Sequence, residues 1–188
     1  MTGNFVADGT GNELGNTIQG NRSRNVLRGL AGNDIISGGD GADHLIGGDD
    51  NDQLFGGSAD DILDGSSGQD LMVGGIGNDT YFVSNLLPKD STIEIIDTSG
   101  TNTVQIAANT KVIKTLWTKD AARLTFEDDR VITINGADKF TFNMGGNVTD
   151  GTEGIDLTFA EFALSFGIDD VLNLSGSDTG TVTDLYII

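Results

Sequence analysis

GLAGNDIIS-GGDGADHLI-GGDDNDQLF-GGSADDILD-GSSGQDLMV-GGIGNDTYF, residues 29–82, repeats one pattern every nine residues. Two more distant copies, GNELGNTIQ and GNRSRNVLR, precede it at residues 11–28, which gives eight consecutive nonapeptides. Position one is always glycine, position six is Asn or Asp, and position eight is a large apolar or aromatic residue. Three positions that keep their register over residues 11–82 are typical of a repeating fold.

Each nonapeptide predicts a turn followed by a very short strand. Glycine tolerates positive φ and close backbone approach, so the glycine-rich first six positions favour a turn. The residue at position eight lies between two outward positions, as it does in a strand. Since one repeat alone buries almost nothing, the units must stack. We therefore expect a solenoid with two nonapeptides to each coil and the side chains of position eight inside.

The aspartates at position six indicate a hard cation. Carboxylates on tight turns, surrounded by exposed backbone carbonyls, offer only oxygen ligands, which suit calcium better than zinc or copper. If repeats n and n+2 lie one above the other, each ion lies between two turns. The candidate pairs are Asp34 with Asp52, Asp52 with Asp70, Asp43 with Asp61, and Asp61 with Asp79.

The charge distribution also favours a bound cation. Residues 29–88 contain eleven aspartates and no Lys or Arg. Stacked coils bring like charges close together, where each pair costs on the order of 1–4 kcal/mol at effective dielectric constants of about 80 to 20. A divalent cation offsets that repulsion. A disordered acidic linker is the alternative for this composition, but disorder does not require apolar residues with a period of nine.

The repeats resemble the RTX (repeats-in-toxin) family, whose motif GGxGxDxUx binds calcium in a parallel β-roll. GGDGADHLI and GGIGNDTYF match that motif at every fixed position. The resemblance implies several calcium ions, held by the position-six carboxylates together with turn carbonyls. In this chain those residues are Asp34, Asp43, Asp52, Asp61, Asp70 and Asp79, with the carbonyls of Gly39, Gly41, Gly48, Gly57, Gly75 and Gly77.

Some repeats depart from the motif. The first two carry neutral Asn16 and Asn25 at position six, so we expect them to be weaker ligands within an N-terminal cap that binds calcium poorly or not at all. Asp50 and Ala59 replace the glycine of position four, and Ser66 replaces that of position two. Each of these three reduces the freedom of its turn, which should affect the affinity of the site.

The second half of the chain has a different pattern. Alternating segments at 92–96, 103–106, 123–127, 130–134 and 139–142 predict antiparallel strands, with residues 127–130 as the clearest hairpin turn. Thr158 and Glu161 form a possible capping box for one short helix. The expected fold is all-β, in three parts: a lead-in at 1–10, a parallel β-roll at 11–88, and a β-rich region with one short helix at 89–188, which would cap the roll and carry a secretion signal.

Composition excludes several classes of function. The formal net charge of −19 argues against nucleic acid or an anionic membrane as partner. No apolar run approaches the roughly 18 residues of a spanning helix, so membrane insertion is not expected. The chain has no cysteine, and bound metal would replace disulfides as the stabiliser. No catalytic residues are assigned: His44, the only histidine, lies at a variable position, and the chain has no HExxH motif.

Two functions remain open, both outside the cell or at its surface. The first is a calcium-binding module that folds on extracellular calcium as part of a larger exported protein. Residues 184–188 resemble the C-terminal signals of type I secreted proteins, and the start of the chain is typical of an internal position in a larger protein. The alternative is a glycan- or surface-binding module of an adhesin or polysaccharide-modifying enzyme, with Trp117 as a possible contact, although such aromatic residues more often lie in the core.

Overall fold

The computed structural model describes residues 7–83, 91–107, 110–117, 121–126, 129–136, 140–144, 155–158, 161, 178–180 and 185–187. Within the nonapeptides and just before them lie β1 (Gly9–Thr10), β2 (Thr17–Gln19), β3 (Val26–Ala31), β4 (Ile35–Asp40), β5 (His44–Asp49), β6 (Gln53–Ser58), β7 (Ile62–Ser67), β8 (Gln69–Ile76) and β9 (Thr80–Val83). The later strands are β10 (Thr92–Ile96), β11 (Asn102–Ile106), β12 (Thr110–Trp117), β13 (Ala121–Phe126), β14 (Val131–Asn135), β15 (Phe140–Met144), β16 (Ile155–Thr158), β17 (Asp178–Gly180) and β18 (Leu185–Ile187).

The strands of the repeats alternate between two sheets, and within each sheet they pair in parallel. One sheet runs in the order β1-β3-β5-β7-β9-β11-β15-β16, and the other in the order β17-β12-β13-β14-β10-β8-β6-β4-β2, with β18 also paired to β12. Partners in the repeats stand two nonapeptides apart, as in Ile36 beside Leu54 and Leu45 beside Leu63. Two nonapeptides therefore form one coil, and the predicted parallel β-roll is confirmed.

The core is a row of position-eight side chains from both sheets. Leu27, Ile36, Leu45, Leu54, Leu63, Met72 and Tyr81 are fully buried, and the partly buried Ile18 packs against them. The same cluster continues through Ile95, Val104, Ile134 and Phe142 in the second half of the chain. The prediction that position eight faces the interior is confirmed.

The turns stack backbone against backbone. In repeats three to eight, positions two and four have positive φ, and most of these residues are glycine. Four are not: Leu30 has φ 90°, Asp50 76°, Ala59 80° and Ser66 65°. A left-handed backbone is strained for residues with a Cβ. The four residues that replace glycine in these turns therefore adopt a strained backbone.

The roll continues beyond the last nonapeptide. Strand β10 lies parallel to β8, with Ile95 beside Met72, and β11 lies parallel to β9, with Val104 beside Tyr81. Strands β14 and β15 extend the two sheets, again in parallel. The expected antiparallel pairing is therefore wrong for β10 and β11, because alternation fixes which side chains face inward but not the direction of the neighbouring strand. The domain boundary at residue 88 stays a prediction, and both sheets run across it.

The antiparallel prediction holds closer to the C-terminal end. Strands β13 and β14 form an antiparallel pair, and the N–H of Asp129 donates to the Phe126 carbonyl (3.1 Å) in the hairpin turn. The Thr158–Glu161 capping box is formed, since the Glu161 carboxylate accepts from the Thr158 N–H (2.9 Å) and the Thr158 hydroxyl accepts from the Glu161 N–H (3.3 Å). The predicted helix itself lies outside the described residues apart from Glu161. Within the described part of the chain, no helix has the length and apolar character to cross a membrane.

Changing Leu30 or Ala59 to glycine should raise the free energy of unfolding by about 1 kcal/mol each, because the left-handed backbone costs an L-residue about 1–2 kcal/mol and glycine loses part of that gain through its greater freedom in the unfolded chain. Denaturant unfolding in saturating calcium measures the effect. Ala42 is a matched control, because it is an exposed alanine of the same turns without positive φ. Ala42→Gly should lower stability by about 0.4–1 kcal/mol. Equal losses in all three variants would show that the turns are not strained.

Candidate calcium sites

The six position-six aspartates lie in two buried rows. Asp34, Asp52 and Asp70 follow one sheet, and Asp43, Asp61 and Asp79 follow the other, each only 1–3 % exposed. Charged side chains are almost never buried to this extent without a partner. The structure thus brings together the pairs that the spacing predicted, and it places them in an environment that requires a compensating charge.

One oxygen of each carboxylate is used by the protein itself. The Oδ1 atom accepts from the backbone N–H of the position-six residue two repeats earlier. The distances are 2.6 Å from Asn16 to Asp34, 2.7 Å from Asn25 to Asp43, 2.8 Å from Asp34 to Asp52, 2.7 Å from Asp43 to Asp61, 3.0 Å from Asp52 to Asp70 and 2.8 Å from Asp61 to Asp79. This ladder fixes the orientation of every carboxylate.

The other oxygen has no protein partner. The Oδ2 atoms of Asp34, Asp43, Asp52, Asp61, Asp70 and Asp79 are buried and accept no hydrogen bond. A buried polar atom without a partner costs about 1–3 kcal/mol, and more when it is charged. Such an atom in a native protein calls for an explanation, and an ion is one of the few available. Two rows of three such oxygens fit two rows of cations.

Each Oδ2 atom faces a small space next to the glycine of position one. A Cβ added to Gly29 would collide with the Asp34 carboxylate and lie 2.6 Å from the carbonyl oxygen of Gly47. The same arrangement recurs at Gly38, Gly47 and Gly56, where the facing carbonyls are those of Gly56, Gly65 and Gly74 at 2.7, 2.8 and 2.7 Å. Position one must therefore be glycine, because a side chain would fill the space between carboxylate and carbonyl.

The position-one carbonyls are candidate metal ligands that the sequence alone did not reveal. The prediction named the carbonyls of Gly39, Gly41, Gly48, Gly57, Gly75 and Gly77, at positions two and four; their role as ligands stays a prediction. The position-one carbonyls of Gly47, Gly56, Gly65 and Gly74 were missed, although the absolute requirement for glycine at position one was a signal for a crowded site. Among the described residues, no three His, Asp or Glu side chains converge on one point. A cation here would depend on backbone oxygens as well as carboxylates.

The first two repeats close their turns without a cation. The side-chain oxygen of Asn16 accepts from the N–H of Asn12 (2.7 Å), and that of Asn25 accepts from the N–H of Asn21 (2.8 Å). Asn12 and Asn21 occupy position two and do not have the positive φ found there in later repeats. The oxygen that is unpartnered in the aspartate repeats is satisfied here. This geometry supports the expectation of a cap, and the weaker role of Asn16 and Asn25 as ligands stays a prediction.

A ninth, degenerate nonapeptide ends the acidic row. Residues 97–105, DTSGTNTVQ, place Gly100 at position four with φ 76°, Asn102 at position six and Val104 at position eight. The Asn102 oxygen accepts from the Asp79 N–H (2.9 Å), as an aspartate does in earlier coils. Its amide group donates to the Ser99 carbonyl (2.9 Å). The repeat escaped the sequence prediction because it follows after 23 residues instead of 18 and lacks the position-one glycine.

Burial dominates the electrostatics of the rows. It raises the pKa of Asp43 and Asp52 to about 6, and that of Asp61, Asp70 and Asp79 to about 7, against an ordinary value of 3.8. Repulsion between neighbouring carboxylates adds to the effect at Asp52, Asp61 and Asp70. His44 is half-buried on β5, and burial lowers its pKa despite the nearby Asp64. It supplies little positive charge to the rows.

The fold and the two rows define a class of protein, a parallel β-roll whose turns present unpartnered carboxylate oxygens. Residues 10–45 and 46–81 each match the family model described as RTX calcium-binding nonapeptide repeat (4 copies). Residues 10–81 are therefore an RTX module, and its repeats are calcium-binding. No curated protein matches the chain.

Replacing Asp52 and Asp61 together by alanine should remove more calcium binding than replacing Asn16 and Asn25 together by alanine. Each of the two aspartates stands between neighbouring turns of its row, whereas the two asparagines close their own turns. Isothermal titration of both double variants against the wild type gives the number of ions bound. Equal losses would contradict the assignment of the sites.

Without calcium, the roll should become less stable as pH rises from 5 to 8. The folded pKa values of about 6 and 7 lie above the ordinary value of 3.8, so the folded chain holds protons that the unfolded chain has released. Stability of the ion-free roll is therefore greatest at low pH and is lost as the pH passes about 6 to 7.

Circular dichroism in calcium-free buffer measures this dependence over a range that stays above the sequence pI of about 4.1. In a parallel series with calcium, the calcium concentration at half-folding should fall as pH falls from 8 to 5, because protons and calcium both neutralise the carboxylates of the folded roll. An ion-free β spectrum that strengthens with rising pH would contradict the burial of ionisable carboxylates.

Proposed function

We propose that this chain is a calcium-dependent folding module of a larger exported bacterial protein. The observation that carries the proposal is the two rows of buried, unpartnered Oδ2 atoms. Calcium would be held by Asp34, Asp43, Asp52, Asp61, Asp70 and Asp79 together with turn carbonyls of positions one, two and four. The bound ions supply the positive charge that the rows lack. The proposed role of the module is to fold into a defined structure, and we assign it no catalytic activity.

In this proposal, the calcium concentration decides whether the chain folds. Carboxylate rows without counter-charge disfavour the coil stack, so the chain would remain unfolded where calcium is scarce, as in the cytosol. Extracellular modules bind calcium at about 10⁻⁴–10⁻³ M. Because the sites exist only in the folded stack, the free energy of binding is free energy of folding. An unfolded chain is also the form that can pass through a narrow export channel.

The roll would then direct the folding of the residues that follow it. Strands β10 and β11 pair in register with β8 and β9, so the last coils of the RTX module offer the edges on which the next coils form. Farther on, β18 pairs with β12 and brings the backbone of the C-terminal tail onto the same sheet. We keep the type I secretion apparatus as the proposed partner of residues 184–188.

A glycan- or surface-binding function has less support. It would be favoured by an exposed aromatic or basic strip on residues 89–188. The aromatic residues of this region whose side chains are described, Phe126, Phe140 and Phe142, are at most 2 % exposed and belong to the core. The side chain of Trp117 lies outside the described part of the structure. Nothing in the described residues favours this alternative.

Calcium should convert the chain from a disordered to a β-rich form. Far-UV circular dichroism follows the whole chain, and the fluorescence of Trp117, the single tryptophan, follows the region after the repeats. If the roll directs later folding, both signals should change at the same calcium concentration. Magnesium is the control of equal charge, and it should be a poor substitute because it demands octahedral geometry and gives up its water reluctantly. A β spectrum that persists in chelator at neutral or higher pH, where the carboxylates are ionised, would contradict the proposal.

A further inference from the structure

The end of one carboxylate row differs from its interior. Beside Gly56, Oδ2 of Asp61 and the carbonyl oxygen of Gly74 border the same small space. At Asp79, the corresponding space contains the hydroxyl of Tyr81: a Cβ added to Gly74 would collide with this hydroxyl and with Oδ2 of Asp79. Tyr81 stands at position eight, where the earlier repeats have aliphatic side chains. The tyrosine thus brings an additional oxygen atom into the space beside the carboxylate.

Asp97 enters the same space from the ninth repeat. It follows directly after Ile96, which pairs with Val73, so it stands at the level of Gly74. Asp97 is only 3 % exposed. Its Oδ1 accepts from the Ser99 N–H (3.0 Å), and its Oδ2 accepts from the Tyr81 hydroxyl (2.7 Å). Both hydrogen bonds fix a carboxylate at a position that is glycine in the repeats before it.

Asp79 and Asp97 therefore face each other across a buried space. Oδ2 of Asp79 and the Tyr81 hydroxyl that donates to Asp97 both lie beside Gly74. Two carboxylates cannot hydrogen-bond to each other, and Oδ2 of Asp79 has no partner. Burial, with Asp97 as a further cause, raises the pKa of Asp79 to about 7. The arrangement of two carboxylates and a hydroxyl offers oxygen ligands only, which suits a hard divalent cation.

We propose that Asp97, outside the eight nonapeptides of the RTX module, is a ligand of a terminal calcium site that it shares with Asp79, with the Tyr81 hydroxyl holding it in place. This inference rests on the proposed function and adds a site to it. The terminal site differs from the interior ones because its second carboxylate stands at position one, where the earlier repeats have glycine, and because a tyrosine hydroxyl borders it. It joins the ninth repeat to the RTX module through the ion as well as through strand pairing.

The test compares Asp97→Asn with Glu94→Gln in the full chain. Both changes remove one carboxylate from the same segment, but Glu94 is exposed on β10, where its carboxylate accepts a hydrogen bond from Asn135 (3.2 Å). Isothermal titration with calcium should show one ion fewer for Asp97→Asn and an unchanged number for Glu94→Gln. An unchanged number for Asp97→Asn would overturn the proposal and would mean that Asp79 and Asp97 share a proton instead.

Terbium luminescence gives a second measurement that does not depend on Asp97→Asn folding. Tyr81 is one of two tyrosines, and a terbium ion next to it should emit when the tyrosine is excited. Tyr81→Phe keeps the ring and should lose most of the tyrosine-sensitised emission. Emission that survives Tyr81→Phe would overturn the proposal. If the wild type binds no calcium, the proposed function itself fails, whereas a wild type that binds calcium with Asp97→Asn unaltered refutes the terminal site alone.

Discussion

The structure depends on carboxylates that are buried with one oxygen satisfied and the other not. The backbone N–H of each position-six residue holds Oδ1 of the aspartate two repeats later, which aligns the turns and orients Oδ2 toward the position-one glycine. That ladder alone leaves negative charge in a segment, residues 29–88, that contains no Lys or Arg. The hydrogen bonds set the geometry, and the buried carboxylates need a compensating charge for that geometry to be stable.

The same constraint couples the strands to the turns, because the spacing of the strands fixes the spacing of the carboxylates. Stacking the position-eight side chains requires coils at the spacing of adjacent strands, and this spacing brings the carboxylates together. A looser stack would relieve the repulsion but would open the core of Leu45, Leu54 and Leu63. Apolar burial and carboxylate repulsion therefore oppose each other along the whole roll, and a bound ion changes the balance.

The sequence predicted the parts of the structure that depend on period. The coil of two nonapeptides, the interior of position eight and the Asp34–Asp52 type of pairing all follow from spacing alone. The continuation of the roll did not, because residues 92–96 and 103–106 alternate in the same way whether their neighbours run parallel or antiparallel. Asp97 was missed for a related reason: its place opposite Asp79 depends on a register that crosses a longer connection, which no local pattern encodes.

The residue at position six, or in register with it, is accommodated in three different ways along the roll. At the N-terminal end, Asn16 and Asn25 accept a hydrogen bond from their own turn, so these repeats need no ion. In the middle, aspartate leaves an oxygen without a partner. Beyond it, Ile93 stands in register with Asp70, and Phe140 with Asn102, and both are buried in the core. The chain thus places its ion-dependent coils between coils stabilised by hydrogen bonds and coils stabilised by apolar burial. Under the proposed function, neither end stacks on the other until the carboxylates of the middle coils are neutralised, because these coils join the two ends. The proposed requirement for calcium would then extend to parts of the roll that contain no site.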